Sequence, residues 1–140
     1  MRFQYEKVEW FDKGNYTRIY RPNLKFSFKK GQIELPSDGL LDSGADLIVL
    51  PLFVAKYFEV PYEKAEKIHV QIADGRVGTF YKIPYKIHGI SLTLNGVMVK
   101  ETLAFSEGQD TALLGQDFFK HFQITFNRKK KYFDLKSTSK

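Results

Sequence analysis

The sequence predicts an all-β chain of about ten short strands with one or two short helices. Three observations carry that prediction. Apolar residues recur at every second position through most of the chain, as in Leu24-Lys25-Phe26-Ser27-Phe28. Aromatic residues, which suit pleated sheets, are plentiful, with 13 Phe, 8 Tyr and 1 Trp. Turn-forming pairs such as Asn95-Gly96 separate the alternating runs.

Taken in order, residues 3–10 and 16–20 alternate around Asp12-Lys13-Gly14-Asn15 and read as a first hairpin, which Arg21-Pro22-Asn23 breaks. Leu24–Phe28 is the next strand, Lys29-Lys30-Gly31 a turn, and Gln32–Leu35 a short strand. Pro36-Ser37-Asp38-Gly39 is expected to turn the chain into the strand that ends at Asp42. Leu52, Ala55 and Phe58, with Val54 four before Phe58, share one helical face. Pro51 suits the first helical position, and the helix is expected to end before Pro61.

Ile68, Val70 and Ile72 alternate with polar residues as a half-buried strand, Ala73–Gly78 is a glycine-rich turn, and Thr79–Ile83 return. Tyr85–Leu94 and Val97–Phe105 form the clearest hairpin, its Asn-Gly turn setting Leu94 opposite Val97 and Leu92 opposite Val99. Thr111–Leu114 is an apolar strand ending at Gly115, and Gln116–Phe122 reads as a helix with Asp117 near its positive end. The last hairpin joins Gln123–Asn127 to Lys131–Lys136. Tyr132–Leu135 is either a plain edge strand or one that pairs with a second chain. With no linker or repeat, residues 1–140 are expected to form one domain, 1–21 being an N-terminal extension or strand and 137–140 a frayed tail.

One stretch organises the rest: Leu40-Leu41-Asp42-Ser43-Gly44-Ala45-Asp46, followed by the apolar run Leu47–Leu50. An acid wedged between buried-type segments is costly unless it is paired, hydrogen-bonded or protonated. Ser43 and Gly44 imply a sharp turn whose backbone N–H groups and hydroxyl can reach that carboxylate. Such an acid is either structural or catalytic.

Composition narrows the choice. With 43% hydrophobic and 27% charged residues the chain has the balance of a globular protein. No apolar run approaches the ~20 residues that span a bilayer, and no signal-peptide core opens the chain, so the expectation is a cytoplasmic protein without membrane contact. The absence of cysteine removes disulfides, thiol nucleophiles and cysteine-ligated zinc. His69, His88 and His121 lie far apart without metal-ligand spacing, and His69 is on the polar side of its strand. Of the net charge of +6, +5 falls in residues 127–140, where Arg128-Lys129-Lys130-Lys131 reads as a solvated hairpin turn rather than a nucleic-acid site.

The Leu40–Asp46 stretch resembles the hydrophobic-hydrophobic-Asp-(Thr/Ser)-Gly-Ala signature of retroviral-type (retropepsin-like) aspartic proteases. Leu113-Leu114-Gly115-Gln116-Asp117-Phe118-Phe119 resembles their second signature, and the Asp74–Gly78 turn lies between the two where the family has its flap. The resemblance covers roughly residues 22–136. It implies a closed β-barrel lobe with a flap hairpin. It also implies an aspartic endopeptidase without cofactor or metal, in which a water is activated by two carboxylates sharing a proton.

A single motif per chain then implies a homodimer, with Asp42 contributed by each copy to cleave a polypeptide. By the same resemblance Asp42 is the catalytic acid and base, Ser43 hydrogen-bonds across the dimer, and Gly44 permits close backbone approach. Ala45 and Asp46 line the cleft, Gly75, Arg76, Val77 and Gly78 close over substrate, and Leu113 lines a side-chain pocket. Gln116 departs from the pattern: retroviral enzymes carry arginine there, paired with the acid equivalent to Asp46. The competing expectation is a catalytically silent retropepsin-like module that dimerises or binds peptides by strand addition.

Overall fold

The structure, a computed structural model, describes residues 1–71 and 77–138. Strand β1 (Arg2–Gln4) opens the chain, and among the described residues β2 (Glu6–Asp12) and β3 (Asn15–Arg21) pair only with each other, in full register from Glu6↔Arg21 to Asp12↔Asn15. The expected first hairpin is therefore present, but its first residues, around Phe3, belong to a different sheet.

The alternation of Leu24, Phe26 and Phe28 builds β4 (Asn23–Lys30), and all three side chains are buried. It pairs along its whole length with β5 (Ile33–Leu41), from Lys30↔Ile33 to Asn23↔Leu40. Pro36–Gly39 is thus strand and not the turn its composition predicts. Strand β12 (Ala112–Leu114) flanks β5 only along Gly39–Leu41, so at Pro36 the strand has one neighbour, where a residue without an N–H is tolerated. Gly39 serves packing: a Cβ there would stand 3.0 Å from that of Ala112.

Strand β6 (Ile48–Leu50) leads through Pro51 into α1 (Leu52–Tyr57). The helix buries Val54 and Ala55, Phe58 caps it, and Pro51 sits at the N-cap, one place before the expected first helical position. A 3-10 turn (Tyr62–Lys64) precedes β7 (Lys67–Gln71), which pairs with β8 (Val77–Ile83). The single hairpin expected over Tyr85–Phe105 holds only at its centre. Strands β9 (Ile90–Leu94) and β10 (Val97–Val99) pair with Leu94↔Val97 and Leu92↔Val99 around Asn95 and Gly96, both at positive φ. Before them Tyr85–His88 forms a helical turn, α2, which Gly89 ends in the left-handed conformation. After them β11 (Leu103–Phe105) leaves to pair in parallel with β6 and antiparallel with β8.

The resulting sheet runs β10-β9-β4-β5-β12-β6-β11-β8-β7, with a core of residues such as Phe28, Ile48, Leu92, Phe105 and Leu114 fully buried beneath it. The pairing that would close it into a barrel is not among those of the described residues. Helix α3 (Gln116–Phe119) is shorter than expected, because Phe122 already begins β13 (Phe122–Asn127). The described residues thus contain three short α-helices and a 3-10 turn, more than the one or two helices expected. No helix among them is long and apolar enough to cross a membrane.

The chain's two ends meet in a third sheet, ordered β1-β14-β13, where β14 is Tyr132–Ser137. Tyr132–Leu135 is accordingly neither an edge nor free to pair with another chain, since β1 and β13 occupy both of its sides. One face of this sheet is apolar, with Phe133 and Leu135 buried and Phe3 stacked on Phe133 at 5.4 Å. On the other face Arg2 grips Asp134 through both carboxylate oxygens, at 2.9 and 3.1 Å.

The Arg2 hydrogen bond holds the Asp134 carboxyl below its ordinary value. A value lowered by folding stabilises the fold above the ordinary carboxylate range, and that contribution drains away as pH falls through the lowered value. Arg2→Gln should therefore cost more stability at about pH 7 than at about pH 3, by urea unfolding followed in the terminal sheet. An equal cost at both would contradict the pair's role.

Candidate active site

The stretch singled out in the sequence lies where β5 ends. Leu41, Leu114 and Ile48 stand side by side across β5, β12 and β6, and all three are buried. Burying each is worth about 1.5–3 kcal/mol, so the end of β5 is firmly held. The Asp42 N–H extends this pairing by donating to the Leu114 carbonyl at 3.0 Å. Asp42 itself is half-buried, the first residue outside the strand.

The chain turns sharply after it. The Gly44 N–H donates to Asp42 Oδ1 at 3.0 Å, and the Ala45 N–H to the Asp42 carbonyl at 3.2 Å. The expected backbone contact to the carboxylate is thus present. Among the described residues, however, the Ser43 hydroxyl makes no hydrogen bond to it. A Cβ on Gly44 would lie 3.3 Å from Asp42 Oδ1 and would crowd the carboxylate.

The turn is held from outside by the start of α3. A helix begins with N–H groups that have no partner within it. Here those of Gly115, Gln116 and Asp117 donate to the carbonyls of Leu47, Ala45 and Asp46, at 3.2, 2.8 and 3.0 Å. Loop carbonyls and helix donors satisfy each other. The approach is so close that a Cβ on Gly115 would fall 2.4 Å from the Ala45 oxygen and 2.5 Å from that of Leu47. The Gln116 side chain adds a fourth bond, its Nε2 donating to the Ser43 carbonyl at 2.7 Å. This contact escaped the sequence reading, which noticed only that an arginine was missing there. An amide is long enough to reach one turn of loop, and that was the available signal.

Leu113 is half-buried in the middle of β12, between Leu40 and Val49, in the row on the opposite face of the sheet from Leu41, Leu114 and Ile48. Ala45 is half-buried and Asp46 exposed. Val77 and Gly78 open β8, opposite Gln71 and Val70, with Val77 68% exposed. Gly75 and Arg76 lie outside the described residues. Ala45, Asp46 and Gln116 are thus brought together with Asp42, and Leu113 stands one residue before the Leu114 carbonyl that binds Asp42.

The two apolar strand ends, the Asp-Ser-Gly turn and the helix start that locks onto it all lie within a stretch that matches a known family. The gag-polyprotein putative aspartyl protease family matches residues 34–121, more than half of the chain. The chain belongs to this family of retropepsin-like aspartic proteases. The fold agrees. The structure is similar to that of a retropepsin-like aspartic protease from Rickettsia conorii, with a TM-score of 0.58 at 16% identity, over 79% of this chain and 88% of that one. It is also similar to EIAV protease solved with the inhibitor HBY-793, with a TM-score of 0.48 at 20% identity, over 71% and 86% of the two chains. No curated protein sequence matches.

The lock between loop and helix yields a contrast in stability. Gly115→Ala drives a methyl group into two backbone carbonyls and should cost about 3 kcal/mol or more. Gln116→Leu removes one donor at an exposed position and should cost only about 1 kcal/mol. Chemical denaturation measures both. Small and equal losses would mean that the loop is not held in this way.

Proposed function

We propose that this protein is an aspartic endopeptidase whose active centre is shared by two copies of the chain. The observation that carries the reading is Asp42, a half-buried carboxylate directly after the buried Leu41 that ends its strand, oriented by the Gly44 N–H in a family of aspartic proteases. The sequence contains one Asp-Ser-Gly and no second copy of it. A two-fold axis beside Asp42 supplies the missing carboxylate, since an isologous contact juxtaposes the same residue from each subunit. Residues 1–140 act as one protease unit in this reading, and closure of the sheet into a barrel belongs to the same proposal.

Two carboxylates that close cannot both ionise, so the pair holds one proton. The ionised member takes a proton from water as the water oxygen attacks the peptide carbonyl carbon. The protonated member gives its proton to the carbonyl oxygen. The tetrahedral diol then collapses: the C–N bond breaks, a proton passes to the departing amine nitrogen, and the dyad is left with one proton for the next cycle. Asp42 from each chain fills these two roles. Ser43 braces the base of the pair, and Gly44 leaves room beside the carboxylate. Ala45, Asp46 and Leu113 line the cleft, and the Gly75–Gly78 segment with Arg76 and Val77 covers a substrate lying extended in it.

The test is cleavage of a peptide library by the wild type beside Asp42→Asn. The amide cannot accept the proton from water, and a loss of about 10³-fold or more is expected without loss of folding. Because the dyad must keep one proton, activity should peak on the acidic side of neutral and fall as the solution becomes alkaline. Equal cleavage by the two proteins, or activity that climbs steadily into alkali, would contradict the dyad. Peptide binding without cleavage by the wild type would favour a binding module.

A further inference from the structure

The hairpin β2–β3 stands apart from the rest of the fold. Its strands pair with no other strand among the described residues, and none of its apolar side chains (Val8, Trp10, Phe11, Tyr16 and Ile19) joins the core. Phe11 and Tyr16 sit opposite each other near the tip, their rings 5.2 Å apart, and are 76% and 50% exposed. On the other face Trp10, 41% exposed, follows the cross-strand pair Val8 and Ile19. An isolated two-stranded hairpin is marginal in water, and an aromatic pair at its tip gains little until something covers it.

The root of this arm shows where the cover comes from. Glu6 follows the terminal sheet directly, and there the Tyr5 N–H donates to the Lys131 carbonyl while Lys131 Nζ lies over the Tyr20 ring at 4.2 Å. The other end runs straight into the strands that deliver Asp42. The Leu41 N–H donates to the Pro22 carbonyl, Asn23 is paired with Leu40, and the Asn23 amide bonds Glu6 at 2.6 Å. The arm is therefore rooted within one or two residues of Asp42, the residue that the proposed two-fold axis must pair. Its charges balance within the hairpin, with Glu6 opposite Arg21, Glu9 opposite Arg18, and Lys7 paired with Glu9. Near-neutral charge around exposed aromatics suits a protein surface, where such side chains act as buried anchors, and not a polyanion.

We propose that β2–β3 is a dimerisation arm, and that Phe11 and Tyr16 are buried by a second copy of this chain when the two Asp42 residues come together. The inference rests on the two-chain active centre proposed above and adds the surface that holds the copies together.

The test joins two measurements on the full chain. Sedimentation velocity compares the wild type with Phe11→Ser/Tyr16→Ser, a variant whose circular dichroism and core stability should be unchanged. A photoreactive benzoylphenylalanine at position 11, in mixed light and isotopically heavy chains, reports what the tip touches. The expected result is a wild-type dimer, a dissociation constant raised about tenfold or more in the variant, and light-to-heavy cross-links. A wild-type dimer of unchanged affinity in the variant, or cross-links confined to the same chain or to added peptide, would overturn the arm and leave the shared active centre standing. A wild type that cleaves peptide as a monomer would overturn both.

Discussion

Everything near Asp42 depends on one close contact: the N–H groups of Gly115, Gln116 and Asp117 inserted into the carbonyls of the loop that follows the acid. The contact satisfies two sets of backbone groups that would otherwise lack partners, the donors at the start of α3 and the acceptors of a turn packed against buried strands. It is possible only because residue 115 has no side chain. It also threads β12 between β5 and β6, so that the three strands converge with Leu41, Leu114 and Ile48 packed side by side beneath the turn. A loop fixed on all sides can hold a carboxylate at the rim of the core without letting it swing away, which a flexible surface loop could not.

What this geometry offers chemistry is a half-prepared site. Among the described residues the carboxylate of Asp42 has one backbone donor, on Oδ1, which leaves its other lone pairs available to a water or to another acid. Neither of two surface concavities, one lined by Arg2, Asp134 and Lys136 and the other by Leu52, Phe53 and Lys56, includes it. A catalytic centre needs walls, a second acid and exclusion of bulk water. In the proposed dimer the first two come from the symmetric partner in one step, and the segment before β8 is placed in sequence for the third. The proposed arm β2–β3 fits the same reading, because it leaves the fold beside Leu40 and Leu41, next to Asp42.

Much of this was legible in the sequence wherever a local signal decides the structure. Asn95-Gly96 set the pairing of Leu94 with Val97 because a two-residue turn of that type permits one register. The spacing of Val54, Ala55 and Phe58 gave a helix because the same face had to be buried. The misreadings arose where distant neighbours decide. Pro36 and Gly39 look like a turn, yet the strand tolerates the proline because β12 reaches only as far as Gly39, and it requires the glycine because Ala112 packs on it. The alternation in Tyr132–Leu135 reveals a two-sided strand but not who lies beside it, and the answer, Arg2–Gln4, is more than a hundred residues away. Gln116 read as a missing ion pair because its role depends on how near the Ser43 carbonyl comes, which no spacing encodes.

The central claim is that Asp42 is half of a dyad shared by two chains, and the stoichiometry of a transition-state mimic tests it most directly. A peptide analogue with a hydroxyl-bearing tetrahedral carbon in place of the scissile amide should bind by calorimetry at about one molecule per two chains, and Asp42→Asn should greatly weaken it. One molecule bound per chain, or binding indifferent to Asp42→Asn, would contradict the shared dyad.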